Sequence, residues 1–123
     1  RKGKTVICDR FHYSTLVYQG IVGESELVKK IHSIFDDIFS QSIDHVIYLY
    51  TDPAESFKRI SRRSETDKFE SRGLEYLEQL SNAYDSVFSD MDNVARLDTS
   101  GDKEVTRKNL FKILSSIFLH NDQ

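Results

Sequence analysis

Asp9 and Arg10 are adjacent residues whose types could do chemistry together. Arg10 carries a planar, permanently charged fork that matches phosphate oxygens, and Asp9 offers a hard oxygen suited to Mg²⁺ or to its waters. They open the stretch from Asp9 to Gly20, Asp-Arg-Phe-His-Tyr-Ser-Thr-Leu-Val-Tyr-Gln-Gly, in which Ser14, Thr15, Tyr18 and Gln19 add hydroxyls, a phenol ring and an amide. If this stretch is helical, Tyr18 shares a face with Ser14 and Thr15, because it lies four and three residues after them. The spacing describes a polar wall with a fixed cation at one end. An Asp-Arg pair at a strand end is also common as a surface ion pair, so the pair alone does not decide between the two readings.

A second set of chemical groups comes later. Lys58, Arg59, Arg62 and Arg63 arrive close together, with Arg59, Arg62 and Arg63 at helical spacings i, i+3 and i+4, before the run Ser64-Glu65-Thr66-Asp67-Lys68-Phe69-Glu70. So dense a positive cluster repels itself. It is either a solvated basic face balanced by Glu65, Asp67 and Glu70 or an anion site.

Both sets must be held by the elements around them. Thr5-Val6-Ile7-Cys8 has the length and β-branched content of a buried parallel strand, which would place Asp9 and Arg10 at its carboxyl end, where open α/β sheets bind ligands. Gly20 and Gly23 punctuate a loop. Leu27, Val28, Ile31, Ile34, Phe35, Ile38 and Phe39 then recur on one face of a helix from about Glu24 to Ser40. His32 lies beside that stripe and is assigned no role, since a lone His on a helix flank is usually a packing or surface residue.

Ile43 to Tyr50 reads as a second strand. Asp52-Pro53-Ala54-Glu55 then starts a helix, with Asp52 as cap, Pro53 at the first position and Glu55 completing a capping-box-like pattern. Strand, turn and capped helix make half of a parallel βαβ unit. Leu77, Leu80, Tyr84, Val87 and Phe88 mark a helix from about Gly73 to Ser89, and Val94 to Asp98 is a short strand. The loop Thr99-Ser100-Gly101 leads to a closing helix, Asp102 to Leu119, with Leu110, Ile113, Leu114, Ile117 and Phe118 inward.

Composition limits the classes of function. A chain of 123 residues with 38% hydrophobic content suits a single globular domain. A net charge of −3 argues against a general nucleic-acid binder. The one cysteine, Cys8, falls within an apolar run and is expected to be buried and inert. No apolar stretch reaches the ~18 residues of a membrane span and no secretory leader opens the sequence, so no membrane partner and a cytoplasmic location are expected.

The twelve residues from Asp9 to Gly20 resemble the segment of thymidylate kinases (dTMP kinases) that follows their third strand, and later landmarks keep that family's order. The resemblance implies that Arg10 binds the phosphate of dTMP, that Asp9 lies near the metal and the phosphates, and that Ser14, Thr15 and Tyr18 contact the nucleoside. Thr15 would face the thymine edge, and Tyr18 would pack against the deoxyribose where a 2′-hydroxyl would otherwise fit. Gln19 matches the bacterial form of the motif and is assigned to the pocket. The basic cluster resembles the LID whose arginines close over the phosphates of ATP. Arg59 and Arg63 align with its basic positions, Asp67 and Glu70 with its ending, and Arg62 has no clear counterpart. The Thr99-Ser100-Gly101 loop matches the one bordering adenine. The resemblance further implies Mg²⁺ with ATP as phosphoryl donor, dTMP as acceptor, a place in dTTP biosynthesis and a homodimeric parent.

One part of that family is missing from the sequence. No Gly-x-x-x-x-Gly-Lys-Ser/Thr motif occurs, and Gly3-Lys4-Thr5, which imitates its tail, precedes a strand instead of following one. The expected architecture is therefore α/β: a parallel sheet like that of P-loop nucleoside-monophosphate kinases, with flanking helices but without the amino-terminal strands and P-loop, forming one partial domain over residues 1–123. Two classes of function follow. One is the substrate-binding and LID part of a dTMP kinase, inactive alone, with Arg10, Arg59 and Arg63 as catalytic groups. The other is a non-catalytic remnant that binds nucleotide or serves in association. Another kinase of the same fold is a closer rival, against which Tyr18 and Gln19 speak.

Overall fold

The computed structural model describes residues 3–63 and 73–119. The chain forms two compact units, Arg1–Ser42 and Ile43–Gln123. The described residues are helix-rich, with a two-stranded parallel sheet.

In the first unit, α1 (His12–Thr15) runs directly into a π-helical segment (Leu16–Val22), and α2 (Glu26–Phe39) follows. Ser25 caps α2 by accepting from the Val28 N–H at 3.3 Å. The buried centre is small: Val17 is fully enclosed and Tyr13 nearly so. Gly20 permits the close approach of the π-helical segment to α2, since a Cβ there would lie 3.1 Å from Leu16 Cδ1 and 3.4 Å from Lys29 Cγ.

Several expectations fail in this unit, the first at Gly20, which lies inside the π-helical segment and not in a loop. Residues 4–8 form no strand, and Val6 and Ile7 are 83% and 92% exposed. A strand exists only as a member of a hydrogen-bonded ladder, and among the described residues nothing pairs with this one. Cys8 is accordingly exposed, not buried. The apolar stripe of α2 is also largely uncovered: Val28 and Phe39 are half-buried, while Leu27, Ile31, Ile34, Phe35 and Ile38 are exposed. The short α1 and π-helical segment cover only one edge of it.

In the second unit, β1 (Val46–Tyr50) pairs in parallel with β2 (Val94–Asp98), in a register running from Val46 opposite Val94 to Tyr50 opposite Asp98. Between them in sequence come α3 (Pro53–Arg63) and α4 (Gly73–Phe88), and α5 (Lys103–Leu119) closes the chain. Tyr48 of β1 stacks on α4 through Tyr84 and Phe88, with ring centroids 5.7 and 5.0 Å away. Among the described residues of this unit, Leu80, Ala83 and Leu97 form the buried apolar core. On α5, Leu110, Ile113, Leu114 and Ile117 are half-buried as the periodicity predicts, but Phe118 is exposed, one residue from the helix end.

Candidate functional site

The short α1 and the π-helical segment build a cleft. Arg10, Phe11, Ser14, Thr15, Tyr18 and Gln19 line an open hollow of about 420 Å³. A π-helix has a wider turn than an α-helix and is found mostly as short insertions within α-helices, frequently at functional sites. Here it keeps Tyr18 and Gln19 on the same wall as Ser14 and Thr15. Arg10 adopts a left-handed backbone conformation, φ 61°, which costs a non-glycine residue about 1 to 3 kcal/mol and is held only where the surroundings impose it. Its guanidinium carbon lies 5.6 Å from the centroid of the Tyr18 ring, so the cation is stacked at one end of the cleft.

Arg10, Ser14, Thr15, Tyr18 and Gln19, singled out in the sequence, are thus brought together. Asp9 is exposed and is not among the lining residues. Its single hard carboxylate fits an ion such as Mg²⁺ that keeps most of its waters and rides on substrate phosphates, since such ions need only one or two protein carboxylates.

A second arrangement lies beyond the carboxyl ends of β1 and β2. Asp52 caps α3, accepting from the N–H groups of Ala54 and Glu55 at 2.9 and 3.2 Å. The loop after β2 is tied to the loop after β1: the Thr51 and Thr99 hydroxyls lie 2.6 Å apart, and Ser100 Oγ accepts from the Asp52 N–H at 2.8 Å. Arg59 completes the link from α3. Its Nε donates to Glu55 at 3.0 Å, and its Nη2 donates to the carbonyls of Ser100 and Gly101 at 3.1 and 3.5 Å. Bonds from the hydroxyl and N–H of Ser100 hold the Asp98 carboxyl below its ordinary value. Arg62 and Arg63 are exposed on the last turn of α3. Glu65, Asp67 and Glu70 lie outside the described residues.

No local pattern signals the link between Arg59 and Ser100, which are 41 positions apart. The sequence also hid a contact in the first unit, where His12 Nε2 lies 3.2 Å from Asp36 Oδ1 and the His12 and His32 rings are 4.9 Å apart. His32 and Asp36 stand at i, i+4 on α2, which was the one legible clue. Burial, then the neighbouring His12, pushes the His32 imidazole down. Burial and Asp36 push the Tyr13 phenol up.

The model of the family described as Thymidylate kinase matches residues 1–110. Among curated proteins, the thymidylate kinase of Francisella tularensis subsp. novicida (strain U112) is 30% identical over 118 residues, covering 95% of this chain and 56% of that protein. The thymidylate kinase of Francisella philomiragia subsp. philomiragia is 29% identical over 119 residues, covering 95% of this chain and 57% of that protein. The chain spans about half the length of the curated relatives it matches.

Proposed function

The chain belongs to the thymidylate kinase family, and on that premise we propose that it supplies the dTMP-binding wall and LID helix of an enzyme that phosphorylates dTMP to dTDP with ATP. The observation that carries the reading is the cleft lined by Arg10, Ser14, Thr15, Tyr18 and Gln19, one cation followed by hydroxyls, a ring and an amide. Arg10 takes the phosphate of dTMP. Thr15 meets the base, and Tyr18 closes the space beside the sugar.

In the reaction an oxygen of the dTMP phosphate bonds to the γ-phosphorus of ATP, and the bond from that phosphorus to the β-γ bridging oxygen breaks. ADP leaves with the electron pair. The acceptor is already anionic, so no strong general base is needed, and the protein's task is alignment and neutralisation of spread-out charge. Arg10 performs this at the acceptor phosphate, and Arg63, exposed on the last turn of α3, performs it at the transferring group. Arg59 works from the same helix with its guanidinium against the Ser100 and Gly101 carbonyls, which fixes the loop assigned to the adenine side. Mg²⁺ arriving with ATP supplies charge neutralisation at the phosphates, and Asp9 is the residue that would hold it, directly or through water.

The fold we assign is that of P-loop nucleoside-monophosphate kinases, and the chain contains no phosphate-loop motif. Turnover therefore requires these residues together with a phosphate loop and its strands, and the 123 residues alone bind dTMP without phosphorylating it. The same reading gives a homodimeric, cytoplasmic parent acting in dTTP biosynthesis, with no nucleic-acid or membrane partner. The net charge of −3 speaks against a general nucleic-acid partner, and no described helix is long and apolar enough to cross a membrane.

Calorimetric titration of the chain with dTMP and with UMP tests the assignment. Tyr18 crowding a 2′-hydroxyl and Thr15 facing the base predict preference for dTMP. Equal affinity for the two nucleotides would sink it.

A further inference from the structure

Away from the cleft, the first unit gathers a second set of donors that phosphoryl transfer does not use. His12 on α1 and His32 and Asp36 on α2 each bring a ligand-type atom within 4.8 Å of the other two. His32 and Asp36 are one turn apart on one face of α2, so a single helix presents an imidazole and a carboxylate together. His12 closes the set from α1. Its side chain is only 10% exposed, and its Nε2 lies 3.2 Å from Asp36 Oδ1.

The hydrogen bonding of this group is incomplete. Asp36 serves one nitrogen of His12, but His12 Nδ1 and His32 Nε2 are both buried with no hydrogen-bond partner. The rings of Phe11 and Tyr13 lie 4.8 and 4.1 Å from the His12 ring, centroid to centroid, walling that side with aromatic surface. Two imidazoles and a carboxylate that converge without completing one another are suited to a shared electrophile.

We propose that His12, His32 and Asp36 bind a divalent transition-metal ion of the zinc class, through one nitrogen of each imidazole and one carboxylate oxygen. A water is the fourth ligand. Two imidazoles favour zinc-type ions, whereas Mg²⁺ prefers an all-oxygen shell, so the site is distinct from the Asp9 carboxylate assigned to nucleotide-borne Mg²⁺. Zinc bonds of about 2.0 to 2.1 Å in a tetrahedron put ligand atoms about 3.4 Å apart. The separations of up to 4.8 Å therefore need to close by no more than about 1.4 Å. Asp36, 44% exposed, is the member that can move, and its open side leaves a path for the ion and its water. The bound ion would clamp α1 to α2 and stiffen the helix that carries Ser14 and Thr15 into the cleft wall.

Zn²⁺ alone, titrated calorimetrically into the full chain freed of metal by chelation, is expected to bind at one ion per chain. Co²⁺ in its place is expected to give the visible ligand-field absorption of a four-coordinate ion with nitrogen ligands. His12→Gln, His32→Gln and Asp36→Asn should each weaken Zn²⁺ binding by about ten-fold or more, at least the loss seen when a ligand's supporting partner is removed. Cys8→Ser and His45→Gln, which remove exposed donors elsewhere, should leave it unchanged. Circular dichroism checks that each variant folds. If one does not, the other two and the native Co²⁺ spectrum decide the question. Absence of stoichiometric Zn²⁺ binding to the native chain would overturn the proposal, as would binding that survives all the cluster substitutions or disappears with Cys8→Ser.

Discussion

Replacing Arg59 with Met tests whether α3 holds the loop after β2. The substitution keeps an aliphatic stem over the helix surface and removes only the guanidinium, so little packing is lost. Three contacts go with it: the bond to Glu55 at 3.0 Å, the bond to the Ser100 carbonyl at 3.1 Å and the long approach to the Gly101 carbonyl at 3.5 Å. The Glu55 pair is an i, i+4 ion pair with side chains 35% and 31% exposed, worth about 0.3 to 0.5 kcal/mol. A charged donor on a carbonyl contributes about 1.5 to 3 kcal/mol when well shielded, and with a third of Arg59 in water the lower end or less applies. The 3.5 Å contact is too long to add anything. The expected loss is about 1 to 2 kcal/mol, read as a lower urea midpoint at unchanged slope. Arg59→Lys should recover only part of it, since a point charge cannot span Glu55 and Ser100 with a fixed fork. An Arg59→Met midpoint equal to that of the native chain would refute the reasoning and release the loop from α3.

Two further outcomes are expected. Burial, reinforced by Asp85, pushes Tyr48 up to about 12 from its ordinary 10.0, so the folded state favours the neutral phenol. Its contribution to stability is complete below pH 10 and is lost as pH rises towards 12, and a phenolate absorbance titration should show a late phase that Tyr48→Phe removes. A titration in which Tyr48→Phe removes an ordinary phase instead would contradict the packing against α4. In a protein carrying this chain together with a phosphate loop, Arg63→Ala should lower kcat more than it raises KM for dTMP, because a LID arginine acts on the transferring group. A normal kcat would return Arg63 to a solvated basic face.

Local chemistry made most of the second unit readable in advance. Asp52 and Pro53 specify the start of α3 and the Asp52 cap is present, but the reciprocal half of the capping box is not formed, because the Asp52 N–H donates to Ser100 Oγ and the Glu55 carboxylate accepts from Arg59. Val94 to Asp98 forms the predicted strand because β1 lies beside it. The apolar run at residues 4–8 has strand-like composition as well, yet forms none, because pairing is a property of the neighbour and not of the run. The cleft was legible in part for a similar reason. Ser14, Thr15 and Tyr18 were expected on one helical face and do share a wall, but the π-helical turn that keeps Tyr18 and Gln19 there depends on packing against α2 at Gly20. The meeting of His12 with His32 and Asp36 joins two elements across a loop, and no periodicity reports such a contact.

The most direct test of the central claim, that Arg10 receives the phosphate of dTMP, is calorimetric titration of dTMP into the native chain and into Arg10→Ala. Loss of a charge-assisted bond to phosphate should weaken binding by about 1.5 to 3 kcal/mol, roughly ten-fold to somewhat over a hundred-fold. Thymidine, which lacks the phosphate, should bind the two proteins alike. Unchanged dTMP affinity in Arg10→Ala, or an equal loss for thymidine, would contradict the assignment and leave the stacked Arg10 as a structural partner of Tyr18.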